Sequence, residues 1–240
     1  MPELKKLKID YLRDTIVEVR YEANLDFSIS RGLLYAAFKD EGELLNNIYP
    51  VSIQISGQPE VRLPRSESLD FVKDQVKFSF SPGRVHFNTI VDYPGWAAYF
   101  PVIKSVLDRL TDLKLLTGVT QIGLRYISDH KMKSIAEVSS VVVVFPHVED
   151  SIRQQSHRFE LLANEDLVTV LLTDTLVPDK KGELLKQAVV DIDVIRQFTT
   201  PSTELSECLD AIEKLHLKEK EFFVKIMAKD YLESLEAEFA

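Results

Sequence analysis

From Thr15 to Ala23 the side chains alternate without interruption. Thr15, Val17, Val19, Tyr21 and Ala23 fall on one side, and Ile16, Glu18, Arg20 and Glu22 on the other. A period of two with one apolar and one charged face is what a half-buried strand requires. Such a strand needs a sheet around it and a layer of helices on its apolar side, so the rest of the chain is read for both.

Further strands follow the same rule. Val51 to Ser56 alternates, Gly57 to Ser68 carries Pro59 and Pro64 as a loop, and Val76 to Phe80 and Val85 to Ile90 flank Ser81-Pro82-Gly83 as a hairpin. In that hairpin Lys77, Ser79, Arg84, His86 and Asn88 point away from the core. Later strands are expected at Thr120–Ser128, Ser156–Leu162, Leu167–Thr175 and Gln187–Ile195, with a turn at Asn164-Glu165-Asp166 and a loop at Pro178–Gly182. The segment Ile135–Phe145 fits neither period cleanly.

Three segments read as helices. Ser28 or Ser30 caps a short one with Leu33, Leu34, Ala37 and Phe38 at helical spacing, stopped by Gly42. Pro94 suits a first turn, and Trp96, Phe100, Ile103, Leu107 and Leu110 form a stripe that Gly118 ends. Thr200-Pro201-Ser202 opens a last helical region reaching almost to Ala240, with Leu205, Leu209, Ile212, Leu215, Phe222, Ile226 and Leu235 on one face. Residues 1–117 and 118–240 therefore share an order of elements: strand, connection, antiparallel strands, long helix. The expected fold is α+β, mainly antiparallel, in two pseudo-repeated halves that form one compact unit over 1–240, each half ending in a long helix on one sheet face. The apolar junction Leu116-Thr117-Gly118-Val119 is too short to be a tether.

Charge narrows the function. Against 29 Lys and Arg stand 38 Asp and Glu, a formal charge of -9, which argues against a broad basic surface for duplex nucleic acid. A single cysteine, Cys208, permits neither an intrachain disulfide nor a multi-thiolate metal site and reads as a small buried hydrophobe. No apolar run approaches the roughly 20 residues of a membrane span, and the start MPELKKLKID lacks a signal peptide's apolar core. A cytoplasmic protein without membrane contact is expected. Phosphate cradles of the GxxxxGK[ST] or GxGxxG kind are absent, as are HExxH and GxSxG, and the histidines at 86, 130, 147, 157 and 216 lack metal-ligand spacing. No catalytic residue, metal site or cofactor is assigned.

What remains is a set of ionisable residues on alternating strands: Glu18, Arg20 and Glu22, Lys77, Arg84 and His86, Arg125, Arg158 and Glu160, and Asp191 and Asp193. With helices on one sheet face, these line the other, either as the interleaved charge that keeps a wet sheet soluble or as a concave binding surface. Arg20, Arg125, Arg158, Glu18, Asp191 and Asp193 are the candidate ligand-binding residues. Arg125 sits within Gly123-Leu124-Arg125-Tyr126 and calls for a carboxylate on a neighbouring strand. His216 on the last apolar stripe reads as a satisfied boundary residue, and Trp96 as core.

The strand Gln121–Ser128, with its G-L-R-Y centre, resembles that of a sporadically distributed, uncharacterised bacterial protein family. The resemblance extends to Val17-Glu18-Val19-Arg20, to Asp191-Ile192-Asp193 and to the pairs Leu215-His216 and Phe222-Phe223 of the closing helix, while Ser128 replaces the asparagine common after G-L-R-Y-x. It implies no activity; the scattered distribution suggests accessory genes of mobile-element or defence systems. The expectation is a binding or accessory protein that recognises a protein partner or a small ligand through the charged sheet face. The alternative is a metal-assisted enzyme on a phosphate-containing substrate, with Arg20 and Arg125 clamping the anion. A third reading is a homodimer through strand edges or the final helix.

Overall fold

Among the described residues nine strands hydrogen-bond into one sheet, every neighbouring pair antiparallel. The structure is a computed structural model and describes residues 4–7, 11–45, 52–53, 61–62, 68–90, 92–141 and 153–239. In chain order the elements are β1 (Leu4–Leu7), β2 (Leu12–Glu22), α1 (Phe27–Phe38), β3 (Glu43–Leu45), β4 (Ser52–Ile53), β5 (Val61–Arg62), β6 (Leu69–Lys73), β7 (Val76–Ser81), β8 (Arg84–Thr89), α2 (Trp96–Asp112), β9 (Gly118–Lys131), α3 (Ile135–Val138), β10 (Gln154–Ala163), β11 (Asp166–Pro178), β12 (Leu184–Ser202), α4 (Leu205–Ile226), α5 (Lys229–Ser234) and β13 (Ala237–Phe239).

The α+β expectation holds: a large antiparallel sheet carries helices on one face. β2 and β9 pair at the centre, so strands from both 1–117 and 118–240 contribute to this one sheet, while β1 pairs with β13 and β4 with β5 apart from it. From this pair β8-β7-β6-β3 extend one way and β12-β11-β10 the other. That is an order of strands, and a duplication is not shown by it.

The inner face follows the alternation. Val17, Val19, Val85, Phe87, Ile122, Leu124, Val168, Val170, Val190, Ile192 and Val194 are buried in one core with Ile103, Leu107 and Leu110 of α2 and Ile212 and Leu215 of α4. At the β6–β7 end Phe38 of α1 packs its ring against Phe71, Phe78 and Phe80 at 5.2–5.8 Å. These aromatic contacts replace the aliphatic stripe that covers the other end. Cys208 is buried in the same core.

Several boundaries differ from expectation. The cap of α1 is Asp26, whose carboxylate accepts from the Ser28 backbone N–H at 2.9 Å, rather than Ser28 or Ser30. Pro94 precedes the N-cap Gly95, whose φ of 87° turns the chain into α2, and Gly118 opens β9 instead of ending the helix, which stops at Asp112. Thr200-Pro201-Ser202 closes β12; pairing of Ser202 with Val119 outweighs the local helix-start signal, and a register shift between Gln197 and Ser202 accommodates the proline. The last helical region is two helices with a break at Met227, which bridges to Ser139, and its end is not helical: Ala237–Phe239 form β13, paired with β1. Ser79 has its expected register on the open face and is nonetheless buried. Of Val51–Ser56, only 52–53 lie within the described residues; the loop 57–67 beyond residues 61–62, the stretch 142–145 and His147 lie outside them. No helix among the described residues is long and apolar enough to cross a membrane.

Candidate functional site

The six residues singled out in the sequence all lie on the face of the sheet opposite the helices. Arg125 on β9 stands directly across from Asp193 on β12, and Asp191 is across from Ile127. The bond forms on the diagonal: Arg125 donates from Nε to Asp191 Oδ1 at 2.8 Å and from Nη2 to Oδ2 at 2.6 Å. This is the carboxylate on a neighbouring strand that an arginine within an apolar strand calls for, although the Arg125 side chain itself is half-exposed. Asp193, with the guanidinium turned to its neighbour, has its carboxyl pushed up to about 6, mainly by burial and against the pull of Arg125. Glu18 on β2 accepts from Arg20 Nε at 2.6 Å and lies 3.8 Å from Arg84. Arg158 on β10 bonds Glu160 two residues on, at 2.5 Å.

The face is therefore a mosaic in which each candidate cation already holds a carboxylate. Arg20, Arg125 and Arg158 sit on three different strands, each turned to its own partner. Among the described residues no group of three or more His, Cys, Asp or Glu side chains could hold a metal ion.

The chemistry that sequence reasoning missed lies on the other side of the same strand. Tyr126, Ser128 and His130 are successive inward residues of β9, and they reach a cavity of about 500 Å³ between the sheet and the helices. The approach to α2 contributes Tyr93 and Trp96, and α4 contributes His216, Glu219, Lys220 and Phe223 at helical spacing. Leu4 and Leu7 of β1 and Leu235 after α5 complete the apolar wall. β1 and β13 pair with each other as a separate ribbon beside the sheet.

Two hydrogen-bonded chains run through this wall. In the first, the Tyr93 and Tyr126 hydroxyls are 3.2 Å apart, and the Tyr126 hydroxyl lies 3.0 Å from His216 Nδ1. The His216 ring is stacked on Trp96 at 3.9 Å between centroids and 9° between planes, and Trp96 Nε1 donates to Glu213 at 2.8 Å. In the second, Ser128 Oγ lies 3.0 Å from His130 Nε2 and His130 Nδ1 2.9 Å from the Tyr231 hydroxyl. Ser128 also donates to the Val190 carbonyl at 3.3 Å. With that proton committed, the His130 ring donates to Ser128 and accepts from Tyr231.

Burial takes the charge out of both rings. His216 is pushed down to about 3 by desolvation, with Lys220 adding to the effect, and His130 to about 4 by desolvation alone. Both are neutral at neutral pH. Desolvation also raises the Tyr126 hydroxyl well above its ordinary value, with Tyr93 and Glu219 contributing. His216 is thus the satisfied histidine the apolar stripe suggested, but its partners also line a cavity. The available signal was three polar residues at alternate positions on the buried face of β9, a strand that otherwise buries Val119, Ile122 and Leu124.

Together these features define an α+β protein with an antiparallel sheet, an open face of paired charges, and an aromatic-walled cavity under its helices. No protein-family model matches the chain, and no curated protein matches it.

Proposed function

We propose that this is a non-catalytic binding protein whose ligand is a small, uncharged organic molecule with an aromatic or similarly apolar body, held in the cavity between β9, α2 and α4. The carrying observation is the convergence of Tyr126, Ser128, His130 and His216 on one apolar space of about 500 Å³. Ligand sites are typically of this size, mostly apolar, with a few placed polar groups. The lack of net charge in the guest follows from the wall. Both histidines are neutral, and the remaining ionic groups of the wall among the described residues, Glu219 and Lys220, are of opposite sign and each engaged with other groups. A guest with net charge would lose hydration without a compensating partner.

Binding is favoured over acyl transfer because His130 meets a tyrosine hydroxyl rather than a carboxylate on its second nitrogen. Nothing there supports an imidazolium, and the serine proton is held by a carbonyl. The open sheet face supports the recognition of a protein partner through its mosaic of both signs. It supports an anion clamp less, since Arg20, Arg125 and Arg158 are already bonded.

The only tryptophan, Trp96, forms part of the wall, so its emission reports occupancy. N-phenyl-1-naphthylamine, an uncharged amphipathic probe, is expected to bind saturably and quench Trp96, while its sulfonated analogue binds at least about tenfold more weakly because burying a charge is costly. Tyr126→Phe and Ser128→Ala each change the affinity, while circular dichroism shows the fold intact. Equal binding of the two probes, or no saturable quenching together with no ligand retained in native mass spectrometry, would overturn the proposal.

A further inference from the structure

Among the described residues the sheet ends in a long edge strand that carries Arg158 and Glu160 but no proline, lysine or bulge. β10 is its last strand, ten residues long, and among the described residues it pairs with β11 alone. Its sequence, QQSHRFELLA, contains neither Pro nor Lys, and its register with β11 runs from Gln154 to Ala163 without a bulge. Edges of soluble proteins are normally blunted by such devices, because a free row of N–H and C=O groups is a template for another strand. The opposite edge, β3, is three residues long and offers little to pair with. Near the turn to β11, Leu161 is 41% and Leu162 79% exposed.

We propose that β10 is a homodimer interface, pairing antiparallel with β10 of a second copy about a twofold axis that passes over Phe159. The register follows from the charges. An axis perpendicular to the sheet keeps each face on its own side, so it must pass over a residue. Above Arg158 it would place arginine against arginine, and above Glu160 glutamate against glutamate. Above Phe159 it sets Arg158 against the partner's Glu160 and Glu160 against the partner's Arg158, both on the open face. Opposite charges directly across a strand pair are favourable and like charges unfavourable.

The same axis places the two Phe159 rings across from each other and Leu162 across from the partner's Ser156, reducing its exposure. Within one copy, Arg158 and Glu160 are 64% and 50% exposed and bond each other. An exposed pair of this kind is worth little, so exchanging it for two pairs across the interface is easily tolerated. The result is an isologous dimer, the commonest symmetry for soluble assemblies, joining the two open faces into one surface. The cavity is not involved, so this proposal stands or falls apart from the ligand reading.

Sedimentation velocity over a concentration series tests it on the full chain, with circular dichroism checking that each variant folds. The wild type is expected to sediment as a dimer. Arg158→Glu and Glu160→Arg should each weaken dimerisation at least about tenfold, since each places like charges opposite one another twice. The double variant Arg158→Glu/Glu160→Arg should restore the dimer, because the swapped charges are again complementary; a general loss of fold would give no such rescue. A monomeric wild type overturns the proposal, as it would if this edge served an extended segment of a different protein. A dimer indifferent to both single substitutions, or a double variant that stays monomeric, overturns it too.

Discussion

Arg125 and Tyr126 are adjacent in one strand and work on opposite sides of the sheet. The alternation that separates them was legible in the sequence, as was the need of Arg125 for a carboxylate. Which carboxylate was not. Asp191 and Asp193 are two residues apart on β12, and only the register shows that the one directly opposite Arg125 is left aside while the diagonal one takes both bonds. Replacing Arg125 with Ala strands the Asp191 carboxylate, which is 9% exposed. Because the guanidinium itself is partly solvated, the expected loss is about 1–2 kcal/mol rather than the full cost of breaking a buried pair. Chemical denaturation should show it, and Arg125→Ala/Asp191→Ala should recover part of it. Probe binding in the cavity should stay unchanged, since the substitution lies on the other face. A variant that keeps wild-type stability would show that the pair contributes nothing to the fold and would return Arg125 to the list of residues available for a ligand.

At the scale of elements, the long alternating strands were readable, whereas their ends and the short strands β1, β3, β5, β6 and β13 were not. β12 illustrates why. Its sequence through Gln197 alternates, and then Thr200-Pro201-Ser202 carries the local chemistry of a helix start, yet β12 continues to Ser202 because β9 is there to pair with it. Local propensity loses to a partner more than sixty residues away. The helix break at Met227 has the same origin, since the backbone there bridges to Ser139. The irregular end of β12 creates one close approach: a Cβ on Gly118 would lie 2.8 Å from Cβ of Pro201, whose ring cannot swing away. Gly118→Ala should therefore cost about 1–3 kcal/mol by overpacking. Gly123 lies on the same strand, where an added Cβ would meet only Ile195 at 3.9 Å. Gly123→Ala should fall within about 0.5 kcal/mol of wild type or be slightly stabilising. Thermal melts of the two variants compare them directly. Equal tolerance would mean that the chain around Pro201 yields, and that the register shift does not lock this corner.

At the scale of the whole molecule the cavity histidines and Asp193 of the open face both shape how stability depends on pH, with opposite signs. His130 and His216 are held near 4 and 3, below their ordinary 6.5, so above about pH 6.5 they are neutral whether the chain is folded or not. As the pH falls from there towards 4, the unfolded chain takes up two protons that the folded chain refuses, and stability is lost. Asp193 acts in the opposite sense. Its folded value of about 6 lies above its ordinary 3.8, so between those values the folded chain keeps a proton that the unfolded chain has released, and its contribution falls as the pH rises through that window. Among these three groups, two histidines against one aspartate leave a net of about one proton, a contribution near 1.4 kcal/mol per pH unit, with stability rising from pH 4 to 6.5; His86, also pushed down by burial, adds to it in the same sense. Asp193→Asn removes the opposing group. It should steepen the slope, match wild type near pH 4 and exceed it at pH 7 by on the order of 1 kcal/mol, the shift being discounted for partial solvation. His216→Gln should flatten the slope. Denaturant titrations at several pH values separate the two effects because the variants move the slope in opposite directions. If His216→Gln left the slope unchanged, the ring would have to be hydrated in the folded chain; water would then reach the wall beside Tyr126, and the reason for expecting an uncharged guest in that cavity would go with it.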